Sequence, residues 1–172
     1  AIRTFFHLET SREHSGGAFV NLAIFSNATF TGATVSNFLL NAAAGTLVVA
    51  LGLVQRAAGW TSLQSGLLTL GYLIAILATI RVGEKLLQRF GPKRPMLWGA
   101  GITSIGVLLT SMTFVLIGQY AALAVIGFTL FGVGLGFYAT PSTDAAMSSV
   151  AAEQAGAAAG LYKMASSLGS AF

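Results

Sequence analysis

Charge is the scarcest feature of this sequence: 8% of its 172 residues are Asp, Glu, Lys or Arg, where a typical soluble domain has about 25%. So few charges cannot cover a water-facing surface, which excludes a soluble globular domain. Cysteine is absent, so disulfides, thiolate metal sites and a catalytic thiol are excluded. The two histidines, His7 and His14, both fall near the start. No His/Asp/Glu cluster has metal-ligand spacing and no Ser/His/Asp set is apparent, so neither a metal nor an enzyme mechanism is expected.

What is abundant is apolar. Hydrophobic residues make up 55% of the chain and the mean hydropathy is +0.78. They gather into five runs, over 29–55, 63–80, 95–114, 119–140 and 153–172. Each suits a membrane helix of ~20 residues, whereas barrel strands would show ~10-residue alternating segments. The sequence therefore predicts an all-α integral membrane protein with about five transmembrane helices. Residues 1–28 are mixed and more polar and read as a cytoplasmic or interfacial linker, leaving 29–172 as a partial helical bundle. The chain begins at Ala1 and stops at Phe172 inside an apolar run, so it reads as an internal stretch of a longer protein.

The positive charges set the orientation. Nine Lys and Arg stand against five Asp and Glu. Arg81, Lys85, Arg89, Lys93 and Arg94 share one gap between apolar runs, which marks a cytoplasmic loop rather than a nucleic-acid-binding face. Alternation then puts 56–62 and 115–118 outside, and the linker and 141–152 inside. Trp60 suits a membrane interface, Thr61 and Gln64 have capping-box spacing, and Pro95 suits a first helical turn. The fourth run is expected to stop at Pro141.

Glycine is patterned. Gly132 and Gly136 are four apart, as are Gly156 and Gly160, a spacing that lets membrane helices approach closely. The run Gly132-Val133-Gly134-Leu135-Gly136 lacks nucleotide-loop spacing and lies inside an apolar span.

Polar side chains within apolar spans usually face the protein interior or a wet cavity. Thr34, Asn37, Asn41, Gly45 and Gly52 share one face of the first span. They form either a cavity wall whose amides meet substrate or a set of helix–helix hydrogen bonds. Lys163 lies well inside the fifth span, on the face of Gly156, Gly160 and Ser167. It is either a charge in a transport pathway, coupled to substrate or proton, or a lysine at a cavity mouth or beside a carboxylate. Tyr162 next to it could stack on a cationic ligand or pack in the core. Asp144 is a solvated loop acid or an acid at the inner mouth, and could pair with Lys163. Arg81 and Glu84 read as interfacial.

The stretch from Gly83 to Arg94, Gly-Glu-Lys-Leu-Leu-Gln-Arg-Phe-Gly-Pro-Lys-Arg, resembles the loop motif of the major facilitator superfamily, with Gly83, Arg89, Gly91, Lys93 and Arg94 in its conformational positions. Gln88 stands where that motif usually has an acid, and Gly83 lies one residue early. The segments Trp60–Leu68, Glu153–Gly156 with Gly160, and Asn27–Phe30 resemble other helix entries of the same family. The likeness covers nearly the whole chain from residue 22 and is greatest to the C-terminal half of fourteen-span drug:proton antiporters. It implies a secondary active transporter of the bacterial cytoplasmic (inner) membrane that exports lipophilic cations or drugs. Energy would come from the proton gradient without a cofactor, and the full-length protein would be a monomer. Its cavity would be lined by Asn37, Asn41, Tyr138, Tyr162 and Lys163. Two other readings stay open: the same fold carrying an anionic metabolite or organic acid past Lys163, and a membrane structural protein that transports nothing.

Overall fold

The computed structural model describes residues 22–57, 59–113 and 117–171, and these form five long helices with no strand among them. A short 3-10 turn, Leu22–Ser26, leads into α1, Ala28–Ala57. Then follow α2, Ser62–Phe90, α3, Lys93–Ser111, and α4, Ile117–Ser148. A second turn, Ala152–Gln154, precedes α5, Ala155–Ala171. Residues 1–21, with His7 and His14 and most of the linker, lie outside the described residues. Ala28–Ala57, Ser62–Phe90 and Gln119–Ser148 are long and apolar enough to cross a membrane.

Local chemistry fixes the helix ends. Asn27 caps α1: its Oδ1 accepts from the Thr29 and Phe30 amides, while its Nδ2 donates to the Ser149 carbonyl at 2.6 Å. One side chain thus starts the first helix and ties it to the end of the fourth. Thr61 and Gln64 form the expected capping box at the start of α2. Its other end is set by Gly91, whose φ of 72° and ψ of 177° are open essentially to glycine alone.

Two helices run further than their apolar stretches. The second continues from Ile80 to Phe90, so Gly83 to Arg89 of the motif ride on a helix and the loop shrinks to Gly91 and Pro92. The fourth passes through Pro141 to Ser148 instead of stopping there. An interior proline costs a helix about 3 kcal/mol, yet Pro141 and Ser142 are fully buried against neighbouring helices. Packing on both sides of the break holds the helix together.

Helix α4 is the hub: it packs most extensively against α3 and α2, through opposite faces, and is also reached by α1 and α5. Glycine makes these contacts close. A Cβ on Gly83 would sit 2.5 Å from the Gly136 carbonyl oxygen, and one on Gly132 would sit 2.6 Å from the Tyr72 carbonyl oxygen. On the α3 side the same holds for Gly99 against Gly134 at 2.6 Å and Gly106 against Gly127 at 2.8 Å. The Gly132/Gly136 pair behaves as its spacing predicts. The Gly156/Gly160 pair does not, since both positions face open space and the close approach of α5 is made instead by Gly169 against Phe38 and Asn41 of α1. Spacing selects a face but does not say which face meets a neighbour.

Candidate functional site: an amphipathic cavity between four helices

Four helices converge on a cavity of about 430 Å³, lined from α1 by Asn37 and Asn41, from α4 by Tyr138 and Thr143, and from α5 by Tyr162 and Lys163. Ile76 of α2, with Leu135 and Met147 of α4, supplies apolar wall, and Ser166 adds a hydroxyl. The volume lies within the ~300–1,000 Å³ range of small-molecule sites. All five cavity candidates drawn from the sequence, Asn37, Asn41, Tyr138, Tyr162 and Lys163, therefore stand around one space.

Their roles differ. Asn37 is buried and donates through Nδ2 to the Tyr162 carbonyl at 3.3 Å. Asn41 donates to both the Asn37 carbonyl and its Oδ1, at 2.8 and 3.0 Å, and accepts from the Ser170 hydroxyl at 3.3 Å. These bonds lace α1 to α5, and the amides hold the wall as well as forming it. Thr34, on the same stripe, does not reach this cavity; it is buried beside Leu161 and Leu168, and its hydroxyl has no partner among the described residues.

The two tyrosines are held by serines that sequence reading passed over. Tyr138 is buried and its hydroxyl meets that of Ser36 on α1. The Tyr162 hydroxyl meets Ser142 on α4 at 2.8 Å. Ser36 sits inside an apolar span, and that placement is the signal that could have found it; Ser142 follows Pro141 in what the sequence presents as a loop, and carried no such signal.

Lys163 is exposed to the cavity and forms no ion pair among the described residues. Asp144 is on the helix, not in a loop, because α4 runs past Pro141; it is exposed, absent from the cavity wall and unpaired with Lys163. Glu84 and Glu153 are also exposed and away from the wall. No group of three or more His, Cys, Asp or Glu capable of holding a metal occurs among the described residues.

The motif residues form a separate cluster where α2 meets α3. The guanidinium groups of Arg89 and Arg94 lie 5.3 and 5.4 Å from the Phe90 ring centroid. Phe90 in turn meets Trp98 edge-on at 6.0 Å. Lys93 opens α3 and is exposed, while Gly83 is buried against α4. A short glycine turn between two cation–π contacts thus fixes how α2 hands over to α3.

A bundle of apolar helices packed through glycine, around a mostly apolar cavity with a few polar groups, defines a polytopic α-helical membrane protein. The family profile described as Major Facilitator Superfamily matches residues 7–172, and the chain belongs to that family. The chain is similar to the Quinolone resistance protein NorB of Staphylococcus aureus strain JH9, 53% identical over 153 residues that cover 89% of this chain and 33% of the relative. The proteins of the same name from strains N315 and Mu50 align equally well. The chain thus spans 33% of the length of the curated relatives it matches.

Proposed function

We propose that the whole protein is a multidrug efflux transporter of the bacterial cytoplasmic membrane, driven by proton antiport without a cofactor and working as a monomer. The described helices would form part of the C-terminal half, with their basic α2–α3 junction on the cytoplasmic side. The observation that carries this reading is the cavity itself: apolar side chains, two tyrosines and a few hydroxyls and amides suit amphipathic drugs bound without strict geometry. The similarity to a quinolone resistance protein supports drugs as the cargo class, with lipophilic cations and quinolones as the first to test. Transport would follow the rocking of two helical bundles about a central cavity. In bacteria expressing the complete parent gene, ethidium and a quinolone should accumulate less than in empty-vector cells, and a proton uncoupler should abolish the difference. Unchanged accumulation of both, with the protein present in the membrane, would overturn the reading.

A further inference from the structure

The cavity wall holds formal charge of one sign only. Lys163 is its one ionised side chain among the described residues; every other polar group lining it is an amide or a hydroxyl. The amide groups of Asn37 and Asn41 are already bonded to each other, to Tyr162 and to Ser170. The Tyr138 and Tyr162 hydroxyls are bonded to Ser36 and Ser142. The Lys163 ammonium is therefore the strong donor left uncommitted, exposed to the cavity.

We propose that Lys163 forms an anion subsite which holds the carboxylate of an amphipathic aromatic substrate, with the apolar wall and the two tyrosines receiving the ring system. This rests on the efflux reading and narrows it. A permanent cation gains nothing from Lys163, whereas an aromatic acid or a zwitterion gains a charge-assisted hydrogen bond. Lys163 is then a selectivity residue that separates carboxylate-bearing drugs from otherwise identical neutral ones.

The test uses the purified full-length parent protein and three probes: a quinolone with its free carboxylate, the methyl ester of the same quinolone, and ethidium. The wild type should bind the acid about tenfold more tightly than the ester, as expected for a hydrogen bond to a charged group. Lys163→Gln should bind acid and ester alike, while Lys163→Arg should retain the preference for the acid. Equal binding of acid and ester by the wild type, or a preference surviving in Lys163→Gln, would overturn the subsite and leave the efflux reading standing. If Lys163→Gln binds no probe, Lys163→Arg decides: a retained preference supports the subsite and a lost one overturns it. A wild type that neither binds nor expels any of the three would remove the efflux reading, and the subsite with it.

Discussion

The hydroxyls of Ser142 and Tyr162 meet at 2.8 Å across the α4–α5 boundary. Ser142 is fully buried, while Tyr162 borders an open cavity. Removing one partner is therefore not equivalent to removing the other. Tyr162→Phe takes from the buried Ser142 hydroxyl its 2.8 Å partner and leaves it only Tyr138 on its own helix, and should cost about 1–1.5 kcal/mol. Ser142→Ala leaves the tyrosine oxygen where water can reach it and should cost less than about 1 kcal/mol. Thermal unfolding of the two purified full-length variants gives the ranking, and the reverse order would contradict this account.

Gly83→Ala should be among the most damaging single-methyl changes. The new carbon would lie 2.5 Å from a backbone oxygen of α4, and neither side has a flexible tip to move aside. Overpacking of this kind costs about 1–3 kcal/mol. Gly156→Ala, with open space around it, should be neutral or stabilise by up to about 1 kcal/mol. Folded yield after detergent extraction should separate the two plainly.

Gly91→Ala should also destabilise, for a different reason. There is room for the methyl group, but the backbone has φ 72° and ψ 177°. Holding a substituted residue there costs about 1–3 kcal/mol. The loss should appear in thermal unfolding even though no side-chain contact changes.

The asparagine lacing predicts coupling. Asn37→Ala should cost about 0.6–1.7 kcal/mol, between the average and the largest contribution of hydrogen bonds between membrane helices. Asn41 donates to Asn37 Oδ1, so Asn41→Ala should cost less in the Asn37→Ala background than in the wild type. A double-mutant cycle on unfolding free energy measures the difference, and strict additivity would mean the two amides act independently.

Much of the fold was legible because membrane helices declare themselves by length and hydropathy. The capping box at Thr61 and the Gly132/Gly136 approach were read from spacing alone. The ends of α2 and α4 were not, because hydropathy marks where apolar sequence stops and not where hydrogen bonding stops. Pro141 misled for the same reason, since its penalty is offset by neighbours that sequence does not show. Around the cavity, Asn37, Asn41, Tyr138, Tyr162 and Lys163 stood out as polar or aromatic residues within apolar runs. Ser36 was as visible in principle, but serine bonds readily within its own helix; Ser142 lay beyond the fourth apolar run, and only tertiary placement reveals a tyrosine opposite either.

The glycine contacts around α4 also constrain motion. Gly99, Gly106, Gly127 and Gly134 bring α3 against α4, and Gly83, Gly132 and Gly136 bring α2 against it, at distances where even one methyl group has no room. Helices meshed this tightly have no clearance to slip past one another, so α2, α3 and α4 form a single stiff slab. Gly169 meshes α5 against α1 in the same way, so movement that reshapes the cavity must come from the seam between that pair and α4, where the Ser36–Tyr138 and Ser142–Tyr162 bonds can be exchanged one at a time. The molecule thus divides labour between a keel of glycine and a hinge line of serine and tyrosine.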